Sequence, residues 1–418
     1  MHNSIEARLQ AALAQRSAEG NLRELKLETG IDFYSNDYLG YARSEELKRQ
    51  ISAEFDRFPA EPTGSTGSRL LAGNSAYAMS LEAELAGFFD YPASLIFNSG
   101  FDANLALLST LATRTDTIVY DELVHASIHA GIRLSNARTY KFRHNDPESL
   151  REKIKLGTGT VFVAVESLYS MDGDLAPLSD FARICREEGA CLIVDEAHST
   201  GIMGPDGRGL VAALGLETEV LAVLHTFGKG MGTHGACISG SGNLKSFLVN
   251  FARPFIYSTS LPFHTLVTMR MSLHFGAADL TSRTRLQEHI RLFRELSCLP
   301  PAIMPAASAI APESEPLADD HSEDALSGDA PLAGALSGHV LSVPKILASG
   351  PIQTLVIPGN EACKRASREL ISAGFIVRAI LAPTVAPGTE RLRICLHAFN
   401  SPDEITRLAA LLNDMLIR

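Results

Sequence analysis

A mainly parallel, doubly wound α/β sheet, followed by a smaller α+β domain, is the fold class this sequence predicts. Two observations predict the sheet. From about residue 93 to 240, short apolar runs alternate with helical patterns, the order expected of parallel strands joined by crossover helices. The runs are apolar at successive positions, as in Leu192-Ile193-Val194 and Leu221-Ala222-Val223-Leu224, as strands covered on both faces require. A third observation predicts where function lies. One run ends in Asp195-Glu196-Ala197-His198 and another in Thr226-Phe227-Gly228-Lys229, and sites in such sheets gather at the carboxyl ends of strands.

Residues 4–16 place Ile5, Leu9, Ala12 and Leu13 on one face of an amphipathic helix. Residues 31–40 read as a strand and turn in an arm, 64–69 as a glycine/serine loop, and 81–86 as a helix. Strands are expected at 94–97, 117–120, 161–166, 190–195, 220–226 and 236–239, with helices such as 103–111 and 178–188 between them. From Pro300 to about Val343 the composition shifts to Ala, Ser, Pro and Asp and loses all periodicity. That stretch reads as a flexible insertion, too poor in apolar residues to offset its ordering entropy. Beyond it come a strand at 352–357, a helix carrying Ala362, Ala366, Leu370 and Ile371, strands at 375–380 and 392–396, and a closing helix at 402–416. The expected organisation is an N-terminal helix and arm (1–45), a large α/β domain (46–280) and a C-terminal α+β domain (281–418) that contains the insertion 300–343.

At 418 residues, 45% hydrophobic and 20% charged, the chain has an ordinary globular composition. Its formal charge of -11 argues against a nucleic-acid surface. The six cysteines are scattered without a C-x-x-C pair and read as buried thiols of a reducing compartment. No uninterrupted apolar stretch approaches the ~18 residues of a membrane span. A soluble, cytoplasmic protein is the expectation.

Lys229 is the sharpest single residue, because Gly228, Gly230 and Gly232 surround it with small neighbours. A lysine free to form a Schiff base, with an acid at an adjacent strand end for a pyridinium nitrogen, is what pyridoxal 5'-phosphate (PLP) demands. An exposed lysine in a glycine loop has the same local sequence. Asp-Glu-Ala-His also spells a helicase signature, but the required upstream G-x-x-x-x-G-K-[ST] is absent. A hydrolase built on Ser170, His198 and Asp195 lacks a G-x-S-x-G elbow, and no H-E-x-x-H or His/Cys cluster suggests a metal. His198 stands where it can donate to the phenolic oxygen of PLP. His125, after a strand, fits either a structural histidine or one stacked on a flat ring. Asn98-Ser99-Gly100-Phe101 opens a helix whose free N–H groups suit a phosphate, or is an ordinary cap. Arg391-Leu392-Arg393 fits a carboxylate-binding strand or a solvated strand face.

Taken in order, these residues resemble the α-oxoamine synthases, PLP enzymes of the fold-type-I aminotransferase class, over nearly the whole chain apart from the insertion. The match is carried by 35–40 (Ser-Asn-Asp-Tyr-Leu-Gly), Gly67-Ser68-Arg69-Leu70, 98–101, Glu166 with 170–174 (Ser-Met-Asp-Gly-Asp), 195–198, 226–229, 257–262 (Tyr-Ser-Thr-Ser-Leu-Pro), and Pro383-Thr384-Val385 leading to Arg391-Leu392-Arg393. The resemblance implies an acyltransferase that condenses an amino acid, L-alanine, with an acyl thioester of coenzyme A or acyl-carrier protein. Other members use glycine or serine. It implies that Lys229 carries PLP, Asp195 pairs with its ring nitrogen, His198 and Ser170 lie at its phenolic oxygen, and His125 stacks on the ring. Gly100, Phe101 and Thr226 would hold the phosphate, with Ser258 and Thr259 reaching the partner subunit's cofactor across a homodimer interface. Asn36 and Arg393 would take the amino-acid carboxylate, and Arg23 and Thr384 would contact substrate. Leu381-Ala382 departs from the Arg-Pro common in these synthases. A PLP-binding regulator is the non-catalytic alternative; it would typically add a DNA-binding helix-turn-helix, for which the short leader leaves no room.

Overall fold

The computed structural model describes residues 2–297 and 350–417; the expected insertion at 300–343 lies outside them. After the short strand β1 (Ile31–Asp32) comes a seven-stranded sheet of β2 (Ala93–Phe97), β3 (Thr117–Asp121), β4 (Arg138–Phe142), β5 (Val161–Glu166), β6 (Cys191–Asp195), β7 (Val220–Thr226) and β8 (Ala236–Gly240). Its order is β2-β8-β7-β6-β5-β3-β4. β8 runs antiparallel to both neighbours and every other pairing is parallel. The successive apolar residues of β5, β6 and β7 are buried on both faces of the sheet, as crossover helices packed on each side demand. The edge strand β4 is not legible in the sequence. It buries only Phe142, and a charged edge that resists further pairing carries no apolar run.

The C-terminal part holds β9 (Ile352–Val356), β10 (Phe375–Ile376), β11 (Arg378–Ile380) and β12 (Arg391–Cys395). β12 lies between β11 and β9, antiparallel to both, while β10 pairs in parallel with β1. Leu370 of the helix Asn360–Ser372 and Ile405, Leu408 and Leu412 of the helix Pro402–Ile417 pack with Leu392 and Ile394 in a second core.

Three expectations change. The single strand at 375–380 is two, because at the buried Val377 the chain passes from a partner in β1 to a partner in β12. The leading helix spans His2–Ala18, but its apolar face is not packed: Ile5, Leu9 and Leu13 are 48%, 50% and 57% exposed. Within 31–40 only two residues pair as a strand, and the turn that follows is pinned by the Asp32 carboxylate, which accepts the backbone N–H groups of Tyr34 and Ser35, each at 3.0 Å.

Candidate active site

Asp195 ends β6 beside its register partner Glu166 at the end of β5. Two donors converge on its carboxylate: Asn104 Nδ2 at 2.6 Å and the Ala197 N–H at 2.8 Å. Asn104 comes from the helix Gly100–Leu111, and its other amide hydrogen goes to Ser127 Oγ at 2.9 Å. Ser127 Oγ lies 2.7 Å from His125 Nδ1, which also accepts the Ser127 backbone N–H at 3.2 Å. A nitrogen that accepts cannot carry the proton, so neutral His125 keeps its hydrogen on Nε2. A continuous relay thus joins the acid to the expected stacking histidine. Desolvation holds His125 below the usual histidine range, with Asp195 opposing and Lys229 assisting.

Lys229 follows β7 and is partly buried, facing both Asp195 and Glu166. Burial lowers its amine pKa; the two acids oppose that shift and Arg393 adds to it. Glu166 is buried, its Oε1 has no hydrogen-bond partner, and burial first and the Asp195 charge second push it well above the usual carboxyl range. Of the three glycines around Lys229, Gly228 has open space, its nearest neighbour to a Cβ being the Thr233 carbonyl oxygen at 3.8 Å, while the other two answer to a different constraint. A Cβ on Gly230 would stand 2.7 Å from the Thr200 carbonyl oxygen and one on Gly232 2.5 Å from the Ala42 nitrogen, so both serve backbone packing.

His198 is buried, and its Nδ1 sits 2.7 Å from Tyr38 Oη. Burial first, then the nearby Lys229 and Arg393, hold its imidazole well below the usual range, so it is neutral. Arg393 on β12 is 7% exposed, donating Nε to the Ser170 carbonyl at 2.6 Å and Nη2 to Asn36 Oδ1 at 3.0 Å. Arg391 is buried as well and ion-pairs with Asp172. The solvated-face reading of this strand therefore fails, because the 170–174 loop covers that face. The loop is itself anchored through Asp174 Oδ2, 2.7 Å from His144 Nε2 and 2.7 Å from Asn145 Nδ2. His144 Nδ1 reaches Asp121 Oδ1 at the end of β3 at 2.9 Å. Burial opposes a charged His144, but the two carboxylates outweigh it and raise its pKa to about 10.

The helix Gly100–Leu111 starts against Thr226: a Cβ on Gly100 would lie 2.6 Å from Thr226 Cγ2, so only glycine lets the helix start approach β7. Ser99 caps it, accepting the Asp102 N–H at 3.1 Å, and the first-turn N–H groups of Gly100 and Phe101 point where an anion is favoured. Arg23 and Thr384 meet each other at 3.4 Å on the exposed rim, with no hydrogen bond to Asp195 or Lys229 among the described residues. Ser258 and Thr259 line a surface cleft with Arg69 and Asn98, and Asn98 Nδ2 donates to the Thr259 carbonyl at 2.9 Å. Sequence reasoning did not assign Tyr38, Asn104 or Ser127. Asn104 had a signal, as a polar residue on the face that buries Ala103 and Leu107.

A profile of the aminotransferase class I and II family matches residues 28–312. The chain belongs to that family. An 8-amino-7-oxononanoate synthase of Emericella nidulans is 36% identical, over 96% of this chain and 93% of the relative. One from Methylococcus capsulatus is 37% identical over 92% of this chain and 88% of the relative. Among solved structures, the 8-amino-7-oxononanoate synthase of Francisella tularensis superposes with a TM-score of 0.71 at 28% identity, covering 93% of this chain and 98% of that one. Serine palmitoyltransferase of Sphingomonas wittichii gives 0.77 at 25% identity, covering 92% and 86%. The fold is that of fold-type-I PLP enzymes, and PLP is the cofactor. The residues fit it. A lysine with a lowered pKa and a carboxylate held by two donors lie at the ends of the adjacent strands β7 and β6, and a helix start that needs glycine packs against Thr226 beside them. Among the described residues no helix is long and apolar enough to cross a membrane and no His/Cys/Asp/Glu group could hold a metal.

Proposed function

We propose that this chain condenses L-alanine with a pimeloyl thioester, releasing CO2 and the free thiol and forming 8-amino-7-oxononanoate, a step of biotin biosynthesis. The observation that carries this reading is that Lys229, Asp195, His198 and Arg393 share one pocket, where Asp195 and Arg393 act on the charge of Lys229, and Lys229 and Arg393 act on that of His198. The named relatives, 32–37% identical over most of the chain, supply the choice of substrates.

PLP, when bound, supplies an electron sink for the electrons released at the substrate Cα. Lys229 would carry it through Nζ, Asp195 would hold its ring nitrogen protonated, His125 would lie against the ring face, and Gly100, Phe101 and Thr226 would take its phosphate. Arg393 and Asn36 would clamp the alanine carboxylate. Once the alanine amine has displaced it, Lys229, whose lowered pKa favours the neutral amine, would be free to act as the base that removes the Cα proton. His198, neutral and buried, donates a hydrogen bond to the oxygen of the thioester carbonyl as charge builds there. Ser258 and Thr259 would complete the phosphate site of a second subunit in a homodimer, and Arg23 and Thr384 would contact the acyl substrate. The division at 45 and 280 and a cytoplasmic location complete the reading.

The test is released thiol from purified protein given PLP, a pimeloyl thioester and L-alanine, glycine or L-serine in turn. Thiol release with alanine, abolished by Lys229→Ala, is expected. Turnover with serine and a long-chain thioester instead would replace the proposed substrates.

A further inference from the structure

Tyr38 lies at the junction between the amino-acid clamp and His198, and neither the mechanism above nor the sequence motifs give it a task. Its hydroxyl is completely buried among three groups: His198 Nδ1 at 2.7 Å, Asn36 Oδ1 at 3.1 Å and Arg393 Nη2 at 3.5 Å. Burial raises its pKa far out of reach, so the phenol keeps its single proton. That proton has two acceptors to choose from. Asn36 Oδ1 is already supplied by Arg393 Nη2 at 3.0 Å, and the contact to His198 is the shorter of the phenol's two. If the phenol donates to His198 Nδ1, the neutral ring must hold its own hydrogen on Nε2. If it donates to Asn36, the ring must protonate Nδ1 and present Nε2 bare.

We propose that Tyr38 is a positioning residue that fixes the tautomer of His198, keeping Nε2–H as a donor into the active site, and that the Arg393–Asn36 hydrogen bond directs the phenol's proton toward the histidine. This rests on the role given to His198 above. Without a donor at Nε2, His198 cannot hydrogen-bond an oxygen that gains negative charge.

The experiment is nitrogen-15 NMR of the full chain labelled at histidine, read before and after PLP is added, with His198 assigned by difference from His198→Gln. The two imidazole nitrogens of the fixed tautomer give separate protonated and bare signals. In the wild type the Nε2–H form is expected in both states. Tyr38→Phe keeps the ring and removes the donor. Its cofactor-free spectrum should shift toward Nδ1–H or a mixture, with kcat reduced by about 10²-fold and KM for the amino acid little changed. Asn36→Asp offers the phenol a stronger acceptor and should shift the wild-type tautomer in the same direction. A Nε2–H tautomer unchanged in both variants overturns the proposal, as does an Nδ1–H form in the wild type. Because the cofactor-free spectrum needs no turnover, it separates this outcome from failure of the proposed reaction, which the thiol assay reads.

Discussion

β5 and β6 end side by side in acids that are partners in register, Glu166 and Asp195, yet the two are unequally supplied with donors: Glu166 has the His125 backbone N–H. Asp195 is met by Asn104 and the Ala197 N–H. Glu166, equally deep, leaves one oxygen without a partner and is pushed well above the usual carboxyl range. Two negative charges at adjacent strand ends in a buried pocket repel strongly, and the one with fewer donors takes the proton. Identity at a strand end thus decides little; what the neighbouring elements aim at it decides its charge.

The sharpest way to break the contrast is to neutralise each acid without changing its shape. Asp195→Asn should lower kcat by about 10²–10³-fold, whereas Glu166→Gln should stay within a few-fold of wild type in the same thiol-release assay. Equal losses would show that Glu166 works as an anion.

A third acid, Asp121 at the end of β3, extends the comparison, because it is met by a cation. His144→Gln removes that buried charge from between two carboxylates and should destabilise the protein by roughly 3 kcal/mol in chemical denaturation. The folded pKa of His144 is raised from 6.5 to about 10. Its contribution is therefore full below pH 6.5 and disappears as pH rises through about 10, so the gap between variant and wild type should close at high pH.

Asn104→Ala leaves Asp195 short of a donor and should cost about 1–3 kcal/mol of stability, with weaker PLP retention read by equilibrium dialysis. The smallest effect sharpens the assignment of Glu166. Its folded pKa stands above the usual 4.5, so the proton it holds stabilises the fold at acid pH and that contribution fades as pH climbs from 4.5 through the raised value. Glu166→Gln should flatten this slope of stability against pH and change little else.

These three acids also mark the limit of what was legible in the chain. Each closes an apolar run, as 117–121, 161–166 and 191–195 show, and nothing local tells them apart. Asp195 stood out only through its neighbours Glu196-Ala197-His198. Its decisive donor is Asn104, 91 positions away, and the cation at Asp121 is His144, 23 away. The parallel sheet was legible because burial on both faces writes itself as continuous apolar runs. β4 was not, because its solvent-facing residues Arg138, Thr139 and Lys141 are polar or charged. The burial of Arg391 and Arg393 was hidden for a similar reason, since the 170–174 loop that covers them is remote in sequence, Ser170 lying 223 positions before Arg393.

The break at Val377 has a mechanical consequence. Residues 375–376 grip the arm at β1, a few positions before Asn36, and residues 378–380 grip β12, which carries Arg393. Asn36 and Arg393, the two residues proposed to clamp the substrate carboxylate, are thus yoked to one short piece of backbone, so a substitution that disturbs 375–380 should be felt at both.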